Sequence, residues 1–102
     1  MKLAYPVCFY KEETGYSAII PDLGCATHGE NLPHATEMAI DAASGWILTA
    51  IEDGEDIPMP SDISNVKLEY ENGFINVVLL DIGEYALKYG DKSAKKNVTI
   101  PA

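Results

Sequence analysis

Between Leu32 and Ile51 the chain carries Leu32, Ala35, Ala39, Ala42, Ala43, Trp46, Ile47, Ala50 and Ile51 at spacings of three and four. That period puts them on one wide apolar stripe of a single long helix. Asn31 is a suitable N-cap, Pro33 is tolerated in a first turn, and Asp53-Gly54 marks the stop. The alanines let such a helix lie close to a sheet, and Trp46 is expected to supply most of its buried bulk. Gly45 weakens the helix by about 1 kcal/mol relative to Ala, and only close packing accounts for it.

The runs on either side read as strands. LAYPVCFY (3–10) is rich in β-branched and aromatic residues, and Pro6 suggests an edge position or a bulge. KEETG (11–15) is a polar turn, and YSAIIPD (16–22) returns as the second arm of a hairpin with a loop of about five residues. CATHGE (25–30) is a short third strand with either Cys25 and Thr27 or Ala26 and His28 facing inward. EDGEDIPMPSDIS (52–64) is acidic, holds two prolines and reads as an irregular connection. VKLEYENGFINVVLLDIGEY (66–85) reads as two strands around Asn72-Gly73, the strongest short hairpin signal in the chain. The near-continuous apolarity of FINVVLLDI implies burial on both faces, one under the helix and the other against a second copy of the chain. The fold class is α+β, a small antiparallel sheet backed by one long helix.

At 102 residues there is one core. No run approaches the ~20 apolar residues of a membrane span. MKLAYPVCFY has no signal-peptide h-region or cleavage site, so the chain reads as cytoplasmic, with no membrane partner. Sixteen acids against seven lysines and no arginine give a net charge of −9. Residues 12–87 hold fifteen of the acids and only Lys67, a net of −14, whereas residues 88–102 hold four lysines and one Asp, a net of +3. An acidic body repels nucleic acid and suits a basic partner, while the basic tail does the opposite. Simple solubility is the bland alternative. Cys8 and Cys25, in apolar strand-like surroundings, read as buried free thiols.

Catalytic chemistry finds little to use. No HExxH, CxxC, Walker, GxGxxG or GxSxG pattern is present. Cys25, His28 and His34 match no common zinc spacing, so no metal or cofactor is expected. Asp22, Glu37, Asp41 and Asp81 are the carboxylates a two-metal nuclease could draw on. Glu37 and Asp41, however, fall at i and i+4 on the polar side of the helix, where a solvated face suffices. Asp22 after Pro21 is more simply a turn former.

The order of short motifs resembles the HicB family of antitoxins from bacterial toxin–antitoxin pairs. The resemblance rests on Tyr5-Pro6, Gly15-Tyr16-Ser17, Pro21-Asp22-Leu23-Gly24-Cys25, Thr27-x-Gly29-Glu30, Glu52-Asp53-Gly54-Glu55, Ile57-Pro58-x-Pro60-Ser61 and Asp81-Ile82-Gly83-Glu84-Tyr85. It runs from about residue 4 to 101 and implies a partial RNase H-like fold without nuclease activity. It also implies a HicA-like partner, a small basic mRNA-cleaving toxin whose active site the antitoxin occludes. Asn31 and His34 stand where the family's helix commonly opens with Ser or Thr and a Glu, so the capping box is expected to be lost while the cap survives.

Two segments follow from this reading: a toxin-neutralising domain over residues 1–90, and a basic linker with the first strand of a ribbon-helix-helix unit over residues 91–102. Within KKNVTIPA, Lys95, Lys96, Asn97 and Thr99 would face operator DNA, but only with a fuller C-terminal segment, where family members also regulate their own operon. The toxin-binding candidates are Tyr10, Glu12, Glu13, Tyr16 and Asp22 from the acidic hairpin. The alternative is that the tyrosines are sheet residues and the acids solvated. For self-association as a dimer or tetramer the candidates are Phe74, Ile75, Val77, Val78 and Leu79. Here the alternative is that the helix covers that strand completely.

Overall fold

The computed structural model describes residues 1–90. Residues 91–102, with the DNA-contact candidates Lys95, Lys96, Asn97 and Thr99, lie outside the described residues. Four strands, β1 (Lys2–Glu12), β2 (Gly15–Ile20), β3 (Cys25–Gly29) and β4 (Gly73–Asp81), form one antiparallel sheet in the order β3-β2-β1-β4. The helix α1 (Leu32–Glu52) crosses one face of it. Side chains alternate between faces. Tyr5, Val7 and Phe9 of β1, Ala18 and Ile20 of β2, and Val78 and Leu80 of β4 therefore point at α1, where they meet Ala35, Ala39, Ala43 and Ile47.

The helix stripe is as its period predicts, but its bulk is distributed differently. Trp46 is only half-buried and Ile51 is exposed, so the large buried side chains come from the sheet, above all Tyr5 and Phe9. Small residues on the helix let those aromatic rings reach its backbone cylinder. Gly45 belongs to the same economy of space: a Cβ there would lie 3.1 Å from the Tyr85 hydroxyl oxygen. The cap forms as expected, with the His34 N–H donating to Asn31 Oδ1 at 2.9 Å. In place of the usual capping box, as expected, a neighbouring bond forms: the N–H of Glu30, one residue before the cap, donates to His34 Nδ1 at 3.0 Å. An imidazole nitrogen thus takes the acceptor role that Glu plays in the usual box.

Three expectations about the strands are corrected. The first hairpin is tighter than a five-residue loop, because Glu12 pairs directly with Gly15 and leaves only Glu13 and Thr14 in the turn. Pro6 sits in an inner strand, opposite Val77 of β4; pairing with β2 begins only at Cys8, so at Pro6 the ladder needs bonds on one side alone. Most consequentially, Asn72-Gly73 is not a hairpin. Residues 66–71 form no strand, and β4 pairs along its whole length with β1, from Gly73 opposite Tyr10 to Asp81 opposite Lys2. Gly73 is needed there because a Cβ would fall 2.4 Å from the Tyr10 ring, and Asn72 Nδ2 donates to the Lys11 carbonyl at 2.8 Å.

Residues 53–72 instead form a strap around the sheet. The Tyr5 hydroxyl donates to the Pro58 carbonyl, and Asp22 accepts from both the Ser61 N–H (2.8 Å) and the Ser61 hydroxyl (2.6 Å). A single 3-10 turn, Ile63–Asn65, is capped by Asp62. The strap then passes over the face of the sheet away from α1. There the Glu69 N–H donates to the Tyr10 hydroxyl at 3.0 Å and the Tyr10 and Tyr70 rings meet edge to face at 5.3 Å. Beyond β4 the expected strand exit is helical: Asp81 Oδ1 accepts from the Glu84 N–H and opens α2 (Ile82–Tyr85), followed by a wider turn over Ala86–Gly90.

Candidate functional site

Two clefts carry most of the chemistry on this surface. The first lies at the hairpin end of the sheet, on the face away from α1, and is lined by Tyr10, Glu12, Ser17, Ile19, Tyr70 and Asn72 around about 380 Å³. Strand alternation supplies Tyr10, Glu12, Ser17 and Ile19 to one face, and the strap supplies Tyr70 and Asn72. Glu12 accepts from the Ser17 hydroxyl at 2.6 Å and stands 3.6 Å from His28 Nε2 on β3. Glu13 projects from the turn, exposed. Glu69 and Glu71 arrive at the same end through the bonds their neighbourhood makes to Tyr10 and Lys11.

Beneath this cleft the titratable groups are held neutral. Burial raises the Tyr10 hydroxyl above its ordinary value, and burial likewise raises the Cys8 thiol one step further into the sheet. Cys25 is half-buried on the opposite face, against the helix, where burial raises it too. An aromatic floor rimmed by carboxylates suits a cationic side chain, which gains from ring faces and from opposite charge together.

The second cleft, about 500 Å³, runs between α1 and α2 beside the β4 edge and is lined among others by Glu37, Asp41, Asp81, Glu84, Tyr85 and Tyr89. Three of the four carboxylates considered for metal-assisted hydrolysis therefore do meet in one groove, whereas Asp22 is spent on Ser61 at the far end of the strap. Among the described residues no three His, Cys, Asp or Glu side chains converge to hold a metal ion. The Tyr85 hydroxyl is raised above its ordinary value, first by burial and then by the charge of Asp41.

Of the five hairpin candidates, the structure brings Tyr10 and Glu12 into one cleft and leaves Glu13 open. Tyr10 is only 4% exposed and contributes ring rather than hydroxyl. Tyr16 is half-buried on the helix face, edge-on to Phe74 at 6.5 Å. Asp22 holds the strap. Glu69, Tyr70 and Glu71, whose surrounding pattern predicts a strand, instead reach the first cleft on the strap, and Glu84 in the second stands at a helix-start spacing from Asp81. Of the self-association candidates, Val78 is corrected: it is 4% exposed and points into the core, so it offers no surface. Phe74 stacks on Phe9 at 5.4 Å with one side open, Ile75 is half-buried, and Val77 and Leu79 are exposed. Within one chain the strand is thus covered on the α1 face.

Architecture and surface together define a small acidic α+β domain whose sheet carries an aromatic cleft at its hairpin end. Residues 5–102 match the family model described as HicB-like antitoxin of bacterial toxin–antitoxin system, and the chain belongs to that family. A relative from Haemophilus phage HP1, described as an uncharacterized 14.9 kDa protein in the rep–hol intergenic region, is 32% identical over 103 residues, covering 98% of this chain and 74% of its own. A chain of a toxin–antitoxin complex from Streptococcus pneumoniae superposes with a TM-score of 0.74 at 27% identity, covering 83% of this chain and 73% of that one. A chain of the HicA3 and HicB3 toxin–antitoxin complex superposes with a TM-score of 0.64 at 26% identity, covering 78% of this chain and 99% of that one. No helix among the described residues is long and apolar enough to cross a membrane.

Proposed function

We propose that this chain is a cytoplasmic, non-catalytic antitoxin that binds a small basic HicA-type mRNA-cleaving toxin and covers its active site. The observation that carries the reading is the hairpin-end cleft, where Tyr10 and Tyr70 form an aromatic floor beside Glu12 on a body whose residues 12–87 have a net charge of −14. A toxin that holds RNA phosphates presents lysines and arginines, and those groups recognise carboxylates and ring faces. Family membership and the two toxin–antitoxin complexes among the structural relatives support the same partner class. The contact residues in this reading are Glu12 and Glu13, with Tyr16 at the margin and Tyr10 and Asp22 as supports beneath. Operator binding forms no part of it, since Lys95, Lys96, Asn97 and Thr99 lie outside the described residues.

The experiment is co-expression of the full chain with the short basic protein encoded beside its gene, scoring growth rescue and co-purification. Rescue with a stable complex is expected. An active toxin that keeps killing cells containing folded chain in excess sinks the proposal.

A further inference from the structure

The cleft between α1 and α2 takes no part in the toxin reading, yet it is the larger of the two. Glu37 and Asp41 reach it from α1, and Asp81 and Glu84 bring carboxylates from the start of α2. Lys88, the only cation among the lining residues, forms no ion pair with these acids among the described residues. Ile40 and Leu79 add apolar surface, and the Tyr85 and Tyr89 rings stand together with centroids 4.6 Å apart. The acids do not converge tightly enough to grip a single metal ion. A second feature marks the cleft independently of charge. Ser44, one turn beyond Asp41 on α1, is buried to 2% exposure and lines this cleft. Its hydroxyl has no hydrogen-bond partner among the described residues and is not sealed from the surface, so its open side faces the cleft. A buried hydroxyl left without a partner costs free energy that a ligand donor recovers.

We propose that this cleft binds a linear polyamine. The placing of the charges selects that class: carboxylates set along a groove, rather than around a point, suit a cation whose charges are strung along a chain. Four residues of helix rise about 6 Å, so Glu37 and Asp41 stand apart by roughly the reach of a four-carbon spacer between two amines. Each ammonium forms charge-assisted hydrogen bonds with a carboxylate. The tyrosine rings attract the same charge through their faces, and the methylenes cover Ile40 and Leu79. One oxygen of Asp81 already accepts from the Glu84 N–H, so Glu37, Asp41 and Glu84 are the principal partners. Ser44 adds an acceptor at the floor, which a slender ammonium reaches and the broad surface of a folded basic partner does not. Bound there, the polyamine offsets part of the −14 carried by residues 12–87 and eases the self-repulsion of the compact state.

Calorimetric titration of the full chain with spermidine is expected to show one saturable site. It should persist at about 0.15 M salt, where diffuse attraction to the net charge of −9 is largely screened. Magnesium chloride, a compact cation, and propylamine, a single amine, should each bind about 10-fold more weakly or less. Glu37→Gln with Asp41→Asn should weaken spermidine about 10-fold or more. Glu30→Gln with Asp56→Asn, which removes the same charge at exposed positions elsewhere, should not. Ser44→Ala, which keeps every carboxylate, should weaken it about three-fold. Circular dichroism melts of each variant check that the fold is intact. Absence of a saturable site, binding that magnesium matches, or equal weakening by the two double substitutions overturns the proposal. So does a site that takes tetralysine but not spermidine, since the cleft then belongs to a basic protein segment. The titration contains no toxin and the growth rescue follows no polyamine, so the two readings fail separately.

Discussion

Gly45 looks misplaced in a helix, and a residue far along the chain explains it. A glycine there weakens α1 by about 1 kcal/mol relative to Ala, yet a Cβ would press to within 3.1 Å of the Tyr85 hydroxyl. That contact is tight but meets the tip of a side chain, which can give by a few tenths of an ångström. Gly45→Ala should therefore stabilise the chain by only about 0.5 kcal/mol, while the same change in a Tyr85→Phe background should approach the full ~1 kcal/mol. Denaturant midpoints at constant slope decide it; equal gains in both backgrounds would mean that Tyr85 is not the reason for the glycine. Tyr85 belongs to a second residue-scale effect. Tyr5, Tyr10 and Tyr85 are all raised above their ordinary value of 10.0, chiefly by burial, with Asp22 adding to Tyr5 and Asp41 to Tyr85. In the unfolded chain these hydroxyls ionise near 10.0, so the folded state keeps protons that the unfolded state has released. The stability they contribute is complete below that pH and is lost as pH climbs through the raised values. Tyrosinate absorbance should rise in two stages, the later one together with loss of far-ultraviolet circular dichroism. A single stage with the fold intact would contradict the burial argument.

At the scale of elements, the strap is the part of this fold that most needs explaining. It has little secondary structure of its own, and four side-chain anchors hold it: Tyr5 on Pro58, Asp22 on Ser61, Tyr10 on Glu69 and Asn72 on the Lys11 carbonyl. If these act as one unit, Asp22→Ala should lower stability by about 1–2 kcal/mol and speed amide exchange at Glu69, although Glu69 never touches Asp22. Tyr10→Phe should accelerate the same amide, and the two changes together should be non-additive. Exchange at Glu69 unaltered by Asp22→Ala would show the anchors to be independent. The strap also marks where sequence reasoning ended. The helix, its cap at Asn31 and the strand β4 were legible because periodicity and capping chemistry are local. Val66, Leu68 and Tyr70 alternate as a strand would, but the group that claims them is a tyrosine hydroxyl 59 residues away. Gly73 likewise carried the mark of a turn, when its absent side chain makes room for the Tyr10 ring. The Asp81–Glu84 spacing carries the start signal of α2, but the strongly apolar run before it favours a strand that continues to its exit there.

For the molecule as a whole, the question is whether recognition is read from the total charge or from one place on it. Charge on this scale steers a basic partner from a distance and is screened by salt over about 10 Å at 0.1 M. A defined cleft, by contrast, makes short-range contacts whose loss appears as faster dissociation. The acidic character was legible in composition, but composition could not say that Glu12 would join Tyr10 and Tyr70 in one cleft while Glu37 and Asp41 joined Asp81 and Glu84 in another. The two clefts allow a matched comparison. Glu12→Lys with Glu13→Lys, and Glu37→Lys with Asp41→Lys, each change the net charge by the same amount. If the hairpin end is the contact, the first pair should weaken binding of the basic partner about 10-fold or more, roughly 1.4 kcal/mol, with faster dissociation that persists at high salt. The second pair should slow association modestly, and only at low salt. Thermal melts of both pairs guard against a folding defect, since Glu12 also accepts from Ser17. Equal effects that vanish together on adding salt would mean that net charge alone attracts the partner. A loss confined to Glu37 and Asp41 would move the contact to the groove between α1 and α2, beside the β4 edge.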